Sequence, residues 1–243
     1  AKEDCLVLLD IYNNSNNKSE YDSAHWRSDQ PVDKWGMTFK VGDNNSYSGP
    51  IIVDVVNKRI TKLVLVDLNS LPESIGNLSE LRWLDLRNVA GTPKLDKLTK
   101  LNSLALYGKK TVSFSILKTE GELSLETLRV DDTGISSLPN SLKQQKKLKN
   151  LAIWKNLNLT GDVANWIGDF SNLESLEIGF NYNLAGTIPL SFKKLTMLRK
   201  IYLMDNLFSG SFSLAEHINE SAPLKTIYLN NNCLDDLDQE TLQ

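Results

Sequence analysis

One phrase, apolar-x-x-apolar-x-apolar, recurs eight times along this 243-residue chain, opening at Ile60, Leu81, Leu101, Leu125, Leu148, Leu173, Leu198 and Leu224. Successive openings lie 21, 20, 24, 23, 25, 25 and 26 residues apart. A period in this range implies a stack. Each copy is one small unit that cannot bury its apolar edge alone, so copies pack on their neighbours and stability accumulates coil by coil. In the last four copies, the final two apolar residues (Leu151 and Ile153, Leu176 and Ile178, Ile201 and Leu203, Ile227 and Leu229) alternate with polar ones. Alternation turns those residues to one side of a strand, into the core, and leaves the residues between them facing out.

A second signal stands eight residues after each opening. The last four copies carry Asn156, Asn181, Asn206 and Asn232 there, whereas the first four carry Leu68, Val89, Lys109 and Thr133. The phrase, its period and the asparagine together resemble the leucine-rich repeat family. In that family the asparagine turns inward and its amide serves main-chain groups of adjacent coils that would otherwise be buried without partners. The resemblance therefore implies a structural asparagine ladder in the second half of the chain and a broken one in the first.

The segments after the strands change character along the chain. Leu71-Pro72-Glu73-Ser74-Ile75 and Leu138-Pro139-Asn140-Ser141-Leu142 resemble the common L-P-x-x-L type. Leu159-Thr160-Gly161-Asp162-Val163, Leu184-Ala185-Gly186-Thr187-Ile188-Pro189 and Phe208-Ser209-Gly210-Ser211-Phe212 resemble the L-x-G-x-I-P segment of the so-called plant-specific class, in which a short extra strand follows the main one. The first 59 residues do not repeat. Their order is an apolar helix face (Cys5, Leu6, Leu8, Leu9, Tyr12), then Trp26-Arg27-Ser28-Asp29, Trp35-Gly36-Met37-Thr38 and Arg59-Ile60-Thr61-Lys62-Leu63. That order resembles the cap of secreted microbial, that is bacterial, leucine-rich repeat proteins. The similar plant receptor cap has a cysteine pair flanking the second tryptophan, and this chain lacks it.

The resemblance implies an α/β fold: a leucine-rich repeat solenoid, a right-handed horseshoe or superhelix. A parallel β-sheet lines the concave face, and short strands, 3-10 turns and loops lie on the convex face. Residues 1–59 are expected to form the cap and 60–243 eight repeats. It also implies a secreted or cell-surface setting, with any signal peptide removed from a chain that begins in polar residues.

Charge and hydropathy narrow the partners. A net charge of −3 gives no electrostatic footprint for nucleic acid. No apolar run approaches the roughly eighteen residues of a membrane span. Cys5 and Cys233 fall at opposite ends of the expected stack, too far apart for a disulfide, and are expected to be buried thiols. Six Asn-x-Ser/Thr sequons, at Asn13, Asn17, Asn44, Asn77, Asn158 and Asn219, follow more readily from Asn-rich loops and the repeat convention than from glycosylation.

Catalysis needs convergent reactive groups. His25 and His217 are the only histidines and fall in different parts of the chain, so neither a triad nor a two-histidine metal site can be assembled from them. Ser115-Ile116-Leu117-Lys118 and Ser191-Phe192-Lys193-Lys194 match S-x-x-K without its companion motifs, and Asp43 to Gly49 imitates a calcium loop without the closing glutamate. No enzyme, metal or cofactor is expected.

What remains is the outward face of the strands. Its candidate partner-binding residues are Trp83, Arg87, Tyr107, Arg129, Asp131, Trp154, Lys155, Glu177, Phe180, Tyr202, Met204 and Tyr228. Asp85 is also expected on this exposed face. Large aromatics at exposed positions demand explanation, and Tyr and Trp interleaved with Arg is the composition of interface hot spots. The leading expectation is a non-enzymatic recognition module for a protein or peptide. The alternative is a carbohydrate-binding module that stacks sugar rings on Trp154, Phe180, Tyr202 and Tyr228; the mixed charges favour protein.

Overall fold

The computed structural model describes residues 2–14, 51–56, 59–91, 95–108, 124–161 and 164–237. The chain divides into two compact units, Ala1–Leu123 and Ser124–Gln243. Both are built from the coils of a leucine-rich repeat solenoid.

The first unit opens with helix α1 (Lys2–Asn13), whose buried face is Val7, Leu8 and Ile11. Glu3 and Asp4 lie in its first turn, where carboxylates complement the positive end of the helix dipole. Asp4 is fully buried and accepts hydrogen bonds from Arg59 Nε at 3.1 and 3.2 Å and from the Ile60 main-chain N–H at 2.8 Å. These bonds tie the helix to the first repeat. Strand β1 (Ile51–Val56) pairs antiparallel with β2 (Arg59–Val66), with an irregularity between Asp54 and Val55. Strand β2 contains the first repeat phrase and pairs parallel with β3 (Trp83–Arg87), which pairs parallel with β4 (Ser103–Tyr107). The register stacks Leu63, Leu84 and Leu104 in one core row and Leu65, Leu86 and Leu106 in the next. At the ladder position Leu68 and Val89 are buried, so apolar contact replaces the amide in these coils.

The second unit repeats the design with five parallel strands: β5 (Thr127–Asp131), β6 (Asn150–Trp154), β7 (Ser175–Gly179), β9 (Lys200–Tyr202) and β11 (Thr226–Tyr228). Leu128, Leu151, Leu176, Ile201 and Ile227 are in register along its core side. A second parallel sheet of β8 (Ala185–Thr187), β10 (Leu207–Phe212) and β12 (Cys233–Leu237) carries the extra strands expected of the L-x-G-x-I-P segments. Gly186, at φ +124°, supplies a backbone conformation that a side chain would strain. Of the segment at Leu159 to Val163, the described residues Leu159 to Gly161 form no such strand. Between strands the chain turns through short 3-10 helices, Glu73–Asn77 in the first unit and Asn140–Gln144, Ala164–Asp169 and Leu190–Lys194 in the second. Pro72, Pro139 and Pro189 precede three of them in extended conformation. Helix α2 (Leu214–His217) is capped by Ser213, whose hydroxyl oxygen accepts from the Glu216 N–H at 3.3 Å.

The asparagine ladder runs through the second unit. Asn156, Asn181 and Asn206 are buried. The Asn156 N–H donates to Asn181 Oδ1 at 2.9 Å, and the Asn181 N–H to Asn206 Oδ1 at 3.1 Å. In the other direction each amide nitrogen reaches back one coil: Asn156 Nδ2 to the Val130 carbonyl, Asn181 Nδ2 to that of Ile153 and Asn206 Nδ2 to that of Ile178, at 2.7 to 3.0 Å. Asn232 continues the series, its Nδ2 donating to the Leu203 carbonyl at 2.8 Å. Thr133 is the first rung, donating to Asn156 Oδ1 from both its N–H (3.0 Å) and its hydroxyl (2.8 Å). The ladder thus begins one repeat earlier than the asparagines themselves suggest.

Two burial expectations are corrected. Cys233 is exposed and Cys5 only half-buried. Cys233 follows Asn232, which turns inward as a ladder rung, and the alternation of β12 then carries the cysteine outward. Asp85 is buried rather than exposed, covered by the Arg87 side chain that it binds. Residues 109–123, His25, the two cap tryptophans and the calcium-like loop lie outside the described residues.

Candidate functional site

The outward face of the first unit is occupied by its own charges. Lys62 Nζ stands 3.5 Å from the centroid of the Trp83 ring, and the Arg87 guanidinium 4.9 Å from that of Tyr107. Arg87 also grips Asp85 through Nε to Oδ1 at 3.1 Å and Nη2 to Oδ2 at 2.9 Å. Trp83, Arg87 and Tyr107 are therefore half-buried and engaged within the unit.

The second unit differs because its register gathers aromatic rings. One outward row reads Arg129, Ala152, Glu177, Tyr202 and Tyr228. The next reads Asp131, Trp154 and Gly179, with Met204 continuing the line past β9. Gly179 explains the posture of Trp154. A β-carbon on Gly179 would lie 2.5 Å from Cζ3 and 2.8 Å from Cε3 of the tryptophan, so the indole lies across the neighbouring strand in space that only glycine leaves open. Trp154 Nε1 then donates to Glu177 Oε2 at 3.2 Å, and Ser175 Oγ donates to Glu177 Oε1 at 3.1 Å.

Around this fixed ring the others assemble. Trp154 meets Phe180 at 5.8 Å between centroids and Tyr202 at 6.4 Å; Tyr202 meets Tyr228 at 5.1 Å, and Phe180 meets Tyr182 at 6.4 Å. The five rings form one contiguous surface, with Tyr182 53% and Tyr228 49% exposed. Interplanar angles of 33° to 85° mean that the rings present edges as well as faces. That suits the irregular relief of a peptide better than a series of flat sugar rings.

Asp131 borders this surface. Arg129 binds its Oδ2 from Nε at 2.8 Å and from Nη2 at 2.7 Å, while Oδ1 is buried with no hydrogen-bond partner among the described residues. Burial pushes the Asp131 carboxyl above the usual carboxylate range, against the pull of Arg129 and Lys155 and with a further push from Glu177. A carboxyl held above its unfolded value binds a proton more tightly in the folded state. Its ionisation therefore costs stability as pH rises from the ordinary aspartate range through the raised value. Asp131→Asn should lie closest to the parent at acid pH and gain on it toward neutrality, as read from melting temperatures across a pH series. A parent whose relative stability improves with rising pH would contradict this assignment.

Gly179→Ala supplies a second check. It should displace the indole and redshift its emission or alter its quenching, with a stability loss of roughly 1–3 kcal/mol from overpacking. An unaltered tryptophan spectrum would show that the ring does not depend on the glycine.

Of the candidate residues, Arg129, Asp131, Trp154, Lys155, Glu177, Phe180, Tyr202, Met204 and Tyr228 all belong to the second unit; Trp83, Arg87 and Tyr107 belong to the first. The sequence reading missed Tyr182 and the enabling Gly179. A glycine inside a strand was the available signal for the latter. His217 is buried against Phe212, and the Ser191 hydroxyl is enclosed with no hydrogen-bond partner among the described residues.

No family model matches the chain. It is 29% identical over 147 residues to Receptor like protein 23 of Arabidopsis thaliana, covering 57% of this chain and 16% of that protein. Among solved structures, that of PEPR1-AtPEP1 superposes with a TM-score of 0.65 at 26% identity, covering 96% of this chain and 32% of the other. Internalin C2 of Listeria monocytogenes superposes with a TM-score of 0.53 at 27% identity, covering 73% and 74%. The chain spans about a sixth of the length of the curated relatives it matches. Plant and bacterial proteins both appear among these likenesses, so they do not favour the bacterial resemblance of the cap over a plant one.

Proposed function

We propose that this chain is a non-enzymatic recognition module that binds a protein or peptide on the outward, concave-side face of its second unit. The observation that carries the reading is the contiguous surface of Trp154, Phe180, Tyr182, Tyr202 and Tyr228, two of whose rings are exposed and three half-buried. Aromatic rings already held in place lose little conformational freedom on binding, which is why such residues dominate interface energetics. Likeness to proteins named as receptor-like supports a recognition role and an extracellular or cell-surface setting. The bacterial surface suggested by the cap is one such setting, and a plant exterior is another.

The test is a parallel screen of the purified chain against a glycan array and against surface and secreted protein extracts, with Trp154→Ala/Tyr202→Ala as control. A protein or peptide bound by the parent and lost in the control supports the proposal. A control-sensitive glycan would replace it with the carbohydrate reading, and capture that ignores the control would remove the aromatic face from the function.

A further inference from the structure

Each described repeat ends its strand with a residue in left-handed backbone conformation, one position before the ladder site. The non-glycine examples are Asp67, Asn88, Asp132, Lys155, Phe180, Asp205 and Asn231, with φ between 51° and 59°. The turn is built into the coil: the left-handed residue continues the main-chain bonding, and its successor is then placed to enter the ladder. Thus the Lys155 N–H donates to the Gly179 carbonyl and the Phe180 N–H to the Met204 carbonyl, both at 3.1 Å. Asparagine and aspartate tolerate this conformation because their short polar side chains bond locally; longer and bulkier side chains strain it.

Five of the seven positions obey that preference. The two that do not, Lys155 and Phe180, are in consecutive coils and sit beside Trp154. The Phe180 ring packs on Trp154 at 5.8 Å and on Tyr182 at 6.4 Å. Lys155 is exposed and makes no hydrogen-bonded ion pair among the described residues, and it places a cation where the coils at Asp132 and Asp205 place an anion. Backbone strain at two adjacent positions of a surface already singled out by its aromatics points to selection for what those side chains touch.

We infer that Lys155 and Phe180 are the specificity-determining pair of the second unit, reading an extended peptide that carries a carboxylate next to an apolar or aromatic side chain. The inference rests on the concave-face reading above. Adjacent strands lie about 5 Å apart, so neighbouring ligand groups reach the two side chains together. Phe180 offers the apolar wall, continuous with Trp154, and Lys155 the counter-charge.

The experiment pans a phage-displayed library of random dodecapeptides on the whole chain, in parallel with Trp154→Ala, Lys155→Asn, Phe180→Asn and Lys155→Glu. The parent should enrich peptides with Asp or Glu beside an apolar or aromatic residue. Lys155→Asn and Phe180→Asn should each lower recovery of those peptides about tenfold, and Lys155→Glu should shift selection to Lys or Arg at the acidic position. Lys155→Asn should also melt about 2–4 °C higher, because the strain is relieved and no buried contact is lost. Trp154-dependent peptides retained equally by both asparagine variants, or showing no acidic preference, would overturn the inference and leave the concave-face reading standing. Peptides indifferent to Trp154→Ala, or none at all, would overturn both.

Discussion

Asn181→Ala should lower the unfolding free energy by about 3–5 kcal/mol, since stranding each buried polar group costs roughly 1–3 kcal/mol. The side chain is fully buried and serves three main-chain groups: it accepts from the Asn156 N–H and donates to the Ile153 and Gly179 carbonyls at 2.9 to 3.0 Å. Alanine supplies none of these bonds, and water has no ready route to the groups left behind. Asn232 carries a comparable set but is half-buried, so Asn232→Ala should cost less. Chemical denaturation of the two variants measures the difference. A loss under about 1 kcal/mol at Asn181 would mean that the ladder accompanies the fold without supporting it.

Trp154→Ala/Tyr202→Ala is expected to separate binding from folding. Both side chains are half-buried and anchored mainly to other rings, so losing their three ring pairs should cost about 1.5–4.5 kcal/mol of stability, at roughly 0.5–1.5 kcal/mol per pair. The core rows Leu151, Leu176 and Ile201 beneath them remain intact. Hot-spot aromatics contribute about 2 kcal/mol or more each, so affinity for a concave-face partner should fall by roughly several hundredfold or more. Cooperative unfolding retained with binding lost is the expected pair of results. Global unfolding of the variant would instead make these rings part of the core.

The strands were legible in the sequence because their cause is local and periodic. An apolar residue at each second position, repeated at a near-constant interval, places Leu151, Ile153, Leu176 and Ile178 in the core with little room for another arrangement. The ladder was legible at its asparagines but not at Thr133, which joins through a hydroxyl and an N–H that no spacing rule marks. The posture of Trp154 was not legible, since it depends on the missing side chain of Gly179 one strand away. Nor was the left-handed turn at Lys155 and Phe180, because hydrophobic periodicity says nothing about φ. Cys233 and Asp85 were misjudged in opposite directions for the same reason: burial at those positions is decided by a neighbour, the inward turn of Asn232 in one case and the Arg87 side chain in the other.

Hydroxyl-radical footprinting of the chain with and without a captured protein or peptide partner locates the recognition face directly. Protection concentrated on Trp154, Phe180, Tyr182, Tyr202 and Tyr228, with Leu190 and Met197, which are exposed outside the strands, unchanged, is the predicted result. Protection of Leu190 and Met197 with the aromatic surface still open would contradict it and move recognition to another face.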